Sequence, residues 1–356
     1  MSIPRKQVAV IGAGLAGLAC AHHLQTAGYC VTVFEKSRGA GGRMSTRRFD
    51  ISADQNPVST WQCDHGAQYF TARDALFIKQ VDAWIALGVV SIWSPILHSF
   101  GVKPDLQSQH AGKLTRYVGV PGMSAPARQL ARDLSVRCEQ RVVSIKKQAD
   151  QWMLAIDSQN NLAGPFDQLV IALPAQQVDD LLAASTDVPL AFVEQARAST
   201  QQHALSPCWA LMLHFAERLP LPFDAAFVNP DNSKPVLSWI CRDSSKPSRP
   251  VGESWLLHAS TGWSSQQLET QNTDVIQAML AEFNVICGLN ADRHVPIHAS
   301  AHRWRFAQAQ QSLNAPGFIW QPQTGLGICG DWLNQGRVEG AWLSAYHLAQ
   351  AILIGK

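Results

Sequence analysis

The chain has 356 residues, of which 46% are hydrophobic and 16% charged, with a formal net charge of +2. That length suits two domains of ordinary size, and the composition leaves no large disordered share. The small charge gives no electrostatic reason to expect nucleic acid or an anionic membrane as partner, and no apolar run approaches the roughly eighteen residues of a membrane span.

The first predicted elements lie between Val8 and Arg43. Val8-Ala9-Val10-Ile11 is a short apolar run of the kind buried on both faces of a parallel sheet. Gly12, Gly14 and Gly17 follow at G-x-G-x-x-G spacing. The first glycine permits a tight turn, the second lets a pyrophosphate approach the backbone, and the third lets helix and strand pack closely. The helix opening there offers unpaired N–H groups and a positive dipole end to an anion. A second strand, Val31 to Phe34, delivers Glu35 eighteen residues beyond Gly17, where an acid grips ribose hydroxyls. In Arg38-Gly39-Ala40-Gly41-Gly42-Arg43 a second glycine loop comes beside the pyrophosphate, and Arg43 offers it a fork of donors. An ordinary NAD dehydrogenase needs no second clamp, so the pattern points to FAD.

Arg5 and Lys6 precede this apolar segment, but it is the cofactor strand and helix and is not read as a signal peptide; a cytoplasmic protein is expected. The eight cysteines are scattered without a C-x-x-C pair, so neither a zinc site nor a redox disulfide is indicated.

A polar loop or hairpin is expected to run from Arg43 to about Thr60. Asp64 to Thr71 (DHGAQYFT) then presents small residues, Gly66 and Ala67, that can lie against a flat ring, with Gln68 and Tyr69 facing a ligand. A helix is predicted over Ala75–Leu87, ending at Gly88, then short strands around Trp93 and Leu97. Ser124 is a candidate N-cap for a helix to Leu134. Strands are predicted at Val136–Ile145, Trp152–Ile156 and Gln168–Leu173, and a helical piece at Val178–Ala184. Alternating segments at Cys208–His214, Val236–Arg242 and Trp255–Ser260 read as antiparallel strands, covered by one helix over Ser265–Cys287. His302 to Phe306 leads back toward the first domain. In the tail, Gly327 to Asp331 is a strand running into a Gly-Asp turn, and Gly336 to Ala341 opens a last helix with apolar face Trp342, Ala345, Ala349 and Ile352.

The GAGLAG fingerprint with Glu35, the RGAGGRM loop and the GD…GRVEGA opening of the last helix together resemble the flavin-containing amine oxidase superfamily. Within it the chain is most similar to renalase-like proteins, through DHGAQYFT, SWICRDSSKPSR, ESWLLHAS and HRWRFA. The resemblance covers essentially the whole chain. It implies an α/β (α+β overall) fold, with a Rossmann-type FAD domain built from discontinuous segments (1–72, 120–178, 304–356) and a largely antiparallel substrate domain (73–119, 179–303). By resemblance, Gly12, Ala13, Gly14 and Gly17 hold the pyrophosphate, Glu35 the adenosine ribose, and Gly42 with Arg43 the phosphates, with Lys36 also among the cofactor-binding residues. Val142 meets adenine through its backbone. Gly66, Ala67, Gln68 and Tyr69 lie along the isoalloxazine, and Gly330 and Asp331 meet the ribityl or phosphate end. Glu339, Gly340 and Ala341 set a helix N-terminus by the flavin's pyrimidine edge, where reduction builds negative charge.

Because the flavin carries the chemistry, no catalytic side chain is required. Gln68, Tyr69, His258 and Trp304 are the candidate pocket walls, with Arg303 or Arg305 available to ribose-phosphate groups; Trp209 and Trp239 read equally well as core. The resemblance implies non-covalent FAD, oxidation of aberrant dihydro-isomers of NAD(P)H to NAD(P)+, and O2 as acceptor with release of hydrogen peroxide. The alternatives are amine oxidation, which four tyrosines leave poorly supplied with framing residues, a monooxygenase and a non-catalytic flavoprotein. A disulfide reductase lacks its second fingerprint and its cysteine pair.

Overall fold

The computed structural model describes residues 5–51, 59–101, 114–157, 161–229, 235–309 and 315–355. Strand β1 (Gln7–Ile11), helix α1 (Leu15–Thr26) and strand β2 (Cys30–Phe34) form the expected unit, the strands parallel and paired from Gln7–Cys30 to Ile11–Phe34. Val8, Ala9 and Val10 are fully buried because layers cover both faces. Next come the ribbon β3 (Arg47–Ile51) with β4 (Ser59–Cys63), helix α2 (Ala75–Ala86), and strands β5 (Val90–Trp93), β6 (Leu97–Phe100) and β7 (Arg116–Gly119). Residues 52–58 of the expected loop lie outside the described residues. Asp74 caps α2 by accepting from the Leu76 N–H at 2.8 Å.

Helix α3 (Ala125–Ala131) leads to β8 (Ser135–Arg137), β9 (Val142–Gln148), β10 (Gln151–Ile156), β11 (Asn161–Phe166) and β12 (Gln168–Ile171). The single strand expected over Val136–Ile145 is therefore two. β8 pairs with β2 and β9 with β10, in different sheets, and the chain between them turns at Glu139 (φ 57°). Helices α4 (Ala175–Ala183) and α5 (Leu190–Gln202) precede β13 (Leu205–Phe215), β14 (Ala225–Val228), β15 (Leu237–Arg242) and β16 (Glu253–Ala259). The helix expected over Ser265–Cys287 is split into α6 (Thr261–Gln266) and α7 (Asn272–Cys287), because Gln271 is extended (φ −63°, ψ 143°). Strands β17 (His298–Ala309), β18 (Ile319–Gln321) and β19 (Leu326–Ile328) and helix α8 (Arg337–Ile354) complete the fold.

Two six-stranded sheets organise these elements. One has the order β18-β19-β12-β1-β2-β8 and is parallel except at β18; the other, β17-β13-β16-β15-β14-β6, is antiparallel except where β14 meets β6. In the first, the small residues Ala16, Ala19 and Cys20 of α1 are buried in the same core as Trp342, Ala345 and Ala349 of α8, so the chain's two ends share one hydrophobic layer. In the second, β13 buries both faces. Trp209, Leu211 and Leu213 pack with Val275, Met279 and Phe283 of α7, while Ala210 and Met212 pack with Trp61 and Cys63 of β4. The expected domain boundary at 304 falls inside β17, and α2, expected in the substrate domain, packs Phe77 against Trp342 of α8 (5.7 Å between rings).

Candidate active site

One cavity of about 1460 Å³ runs between the sheets, larger than the roughly 300–1,000 Å³ of a drug-sized pocket. Its nucleotide end is built from backbone. Gly41 N–H donates to the Ala13 carbonyl at 2.8 Å, and a Cβ on Gly42 would stand 3.2 Å from the Gly14 Cα, so the two glycine loops lie one against the other. Gly12 has φ +105°, and a Cβ there would meet the Ala172 carbonyl oxygen at 2.6 Å. Gly14 is the exception: a Cβ on it would meet nothing within 4 Å, and the residue lines the cavity. Gly14 is also the N-cap of α1 and no side chain caps that end, so the first N–H groups of the helix are left for a ligand. A cradle made of glycine and uncapped N–H groups fits a pyrophosphate. Glu35 accepts from the N–H of Ala13 and of Ser37, each at 2.8 Å, which fixes its carboxylate at the cavity wall beside Lys36 and Val142.

The opposite wall comes from the tail. Arg43 forms a two-pronged pair with Asp331, at 2.9 and 2.5 Å, and also donates to the Ala307 carbonyl at 3.0 Å. Arg43 is thus aimed by Asp331, and the pair joins the second glycine loop to the turn after β19. Gly330, Asp331, Val338 and Ala341 line the cavity. Gly340 does not; it lies under the Asn334 carbonyl, 2.0 Å from where its Cβ would stand. Glu339 is turned away from its expected cofactor role. It accepts from the N–H groups of Arg73 (2.6 Å) and Asp74 (2.7 Å) and so closes the N-terminus of α2. Gly17, too, stands off the cavity, its Cβ position 1.9 Å from the Gly12 carbonyl.

The far end of the cavity is an aromatic chamber. The His65 carbonyl accepts from Trp304 Nε1 at 2.8 Å, and His258 Nε2 lies 3.4 Å from the same oxygen. The His65 ring stacks on Trp304 (5.1 Å) and meets His302 edge-on (4.8 Å). Gly66 lets this loop pass beneath Arg43, because its Cβ would stand 2.0 Å from the Arg43 carbonyl. Gln68 donates to the carbonyls of Asp64 and Gly66, which orients its amide. Trp239 faces Tyr69 (5.6 Å) and Phe227 (4.7 Å) and lines the cavity, whereas Trp209 is core, its Nε1 bonded to the Gln267 carbonyl at 2.9 Å. Arg303 and Arg305 reach the cavity, but both pair with Glu269, at 2.7 and 2.6 Å. His65 and His302 were not among the sequence-predicted walls; only their place opposite Trp304 marks them.

These imidazoles are neutral near pH 7. Burial lowers His65 to about 3, with His302 beside it adding to the shift; burial likewise lowers His258 to about 4, and burial with Arg47 nearby lowers His302 to about 4. Unfolded histidine takes its proton near 6.5, so the stability that comes from keeping these rings neutral is complete above that value. It is lost as pH falls toward 4. Tm should therefore be flat from pH 7 to 9 and decline between about pH 6.5 and 4, less steeply in His302→Gln. An equally steep decline in that variant would contradict the assignment.

Among the described residues no group of three or more His, Cys, Asp or Glu could hold a metal, and no helix is long and apolar enough to cross a membrane. Comparison with known proteins agrees with this geometry. Residues 10–79 match an NAD(P)-binding Rossmann-like domain, and residues 79–353 match the flavin containing amine oxidoreductase model. Among curated proteins, the lysine-specific histone demethylase 1 homolog 3 of Arabidopsis thaliana is 45% identical over 73 residues, 20% of this chain and 4% of that protein. A 4,4'-diapophytoene desaturase of Staphylococcus aureus is 40% identical over 67 residues, 18% of this chain and 13% of that one. Both matches span a small part of those relatives.

Two solved structures share the fold. One, from Exiguobacterium sp. 255-15 and named after protoporphyrinogen oxidase, has a TM-score of 0.74 at 13% identity, covering 100% of both chains. The other, putrescine oxidase bound to putrescine, has a TM-score of 0.68 at 11% identity, covering 99% of both. With a nucleotide cradle at one end, an aromatic chamber at the other and the family model spanning most of its length, the chain belongs to the flavin containing amine oxidoreductases, FAD-dependent enzymes of oxidation and reduction.

Proposed function

We propose that this chain is an FAD-dependent oxidase of aberrant dihydro-isomers of NAD(P)H, yielding NAD(P)+ and hydrogen peroxide. The observation that carries the reading is the character of the chamber wall. Its rings include His65, His258, His302, Trp239, Trp304, Tyr69 and Phe227, and its imidazoles carry no charge near pH 7. The carboxylates that line the cavity are on other walls: Glu35 at the glycine loop, Asp331 on Arg43, and Asp180 on α4. A flat, uncharged dihydropyridine carboxamide suits such a wall. Among the described residues a substrate ammonium finds no carboxylate to pair with on that wall.

Bound flavin supplies the two-electron acceptor. The protein's own groups shape the chamber: the His65 carbonyl fixes the Trp304 ring, and the oriented Gln68 amide edges the loop. In balance, the dihydropyridine gives up a hydride (two electrons and one proton), and O2 takes both electrons, that proton and a second proton from solvent to give hydrogen peroxide. The rival reading, amine oxidation, draws support from the faces of Phe227 and Trp239, which can attract a cation. Mixing the FAD-loaded protein without oxygen with the 2- and 6-dihydro isomers of NAD, ordinary NADH and a panel of amines decides between them. The dihydro isomers should bleach the flavin fastest; faster bleaching by any amine overturns the reading.

A further inference from the structure

Four charged side chains are sealed behind the chamber, outside the cavity lining. Asp64, Asp243 and Lys246 have no exposed side-chain surface, and Arg249 is 1% exposed. Every acceptor site on Asp64 is used. Its Oδ2 accepts from Lys246 Nζ (3.1 Å) and Arg249 Nη2 (2.6 Å), and its Oδ1 from Thr46 Oγ1 (2.7 Å) and the Met123 N–H (3.0 Å). Asp243 Oδ1 accepts from Lys246 Nζ (2.5 Å) and from the Asp64 N–H (3.3 Å), and Arg249 also donates to the Pro121 carbonyl at 2.9 Å. Two negative and two positive groups cancel.

A buried cluster of this kind is a poor stabiliser, since well-packed apolar replacements are often neutral or better. Geometric definition is what it provides. It ties together Thr46, just past the second glycine loop; the turn at Pro121–Met123; the Asp243–Arg249 segment at the end of β15; and Asp64 itself. The chamber loop starts at the next residue, His65, and Gln68 donates back to the Asp64 carbonyl. A second link runs through Ser245, whose Oγ accepts from Trp93 Nε1 at 3.2 Å; the Trp93 ring stands 6.1 Å from Tyr69.

We propose that Asp64, Asp243, Lys246 and Arg249 are positioning residues that set where the loop His65–Tyr69 stands in the cavity. The proposal rests on the cavity being the reaction site and not on which substrate enters it, so a failed substrate panel leaves it untouched. Two variants test it on the full chain: Arg249→Lys, which keeps the charge and loses the fork, and Asp243→Asn/Lys246→Met, which removes one charge of each sign. Amide hydrogen exchange at Ala67 and Phe70, in the protein without added FAD, should speed up about tenfold or more in both. The visible circular dichroism of bound FAD should change, and FAD affinity should fall.

Met279→Ala, in the α7 core, serves as the control: it should lower Tm and leave exchange at 64–70 and the dichroism as in the unaltered protein. If the double variant does not fold, Arg249→Lys decides alone. Loss of Tm without change in loop exchange, dichroism or FAD affinity would mean the cluster is only structural, and the proposal would be overturned.

Discussion

Gly14→Val should give a folded protein whose affinity for FAD is sharply lowered. The position has φ −73° and open space where a Cβ would go, so the chain accommodates a side chain there. The cost to the fold is that of a poor N-cap, about 1 kcal/mol. The added isopropyl group occupies the approach of the pyrophosphate to the helix N-terminus. Overpacking of that kind costs about 1–3 kcal/mol, which corresponds to about 5- to 150-fold in affinity. Gly17→Val should behave oppositely. Its Cβ would stand 1.9 Å from the Gly12 carbonyl, a backbone atom that has nowhere to move, so the fold itself should fail. Far-ultraviolet dichroism with a flavin titration separates the two outcomes. A Gly14→Val protein that binds FAD as the unaltered chain does would refute this account of the cradle.

The Arg43–Asp331 pair should show an asymmetry. Asp331 has a side chain only 6% exposed, while Arg43 is 30% exposed. Arg43→Ala strands a nearly buried carboxylate without either of its guanidinium donors, a loss of about 3–5 kcal/mol. Asp331→Ala leaves a guanidinium that still bonds the Ala307 carbonyl and reaches solvent, so its cost should be nearer 1 kcal/mol. Urea denaturation of the two variants measures the difference directly. Equal costs, or the reverse order, would mean that the carboxylate is better solvated than its burial indicates.

Much of the nucleotide end is written locally. The glycine spacing, the apolar strands and Glu35 all sit within forty residues, and each acts through backbone geometry that sequence alone specifies. Residues whose partners lie far away in the chain read differently. Glu339 looks like part of the last helix's cofactor face, yet its carboxylate serves the N–H groups of Arg73 and Asp74. Arg303 and Arg305 look available to phosphates, yet Glu269, in the break between α6 and α7, takes both. That break is itself the reason the single predicted helix was two, since an apolar pattern continues across an extended residue. His65 and His302 carry no local mark; their role follows from ring contacts made across 237 positions of sequence. The Asp64 cluster is hidden for the same reason, being assembled from four separate turns.

Strand β17 has a further consequence. It pairs with β13 from His298 to Trp304 and again at Gln308 and Ala309, with a bulge between; it carries His302 and Trp304 in the chamber and, in the bulge, the Ala307 carbonyl that holds Arg43. From His302 to Ala307 is at most about 16 Å of chain, the bulge shortening it. That length sets the reach between the Arg43–Asp331 pair and the aromatic chamber. Swinging one sheet away from the other would tear that carbonyl from the arginine, so a single strand ties the Arg43–Asp331 pair to the aromatic chamber.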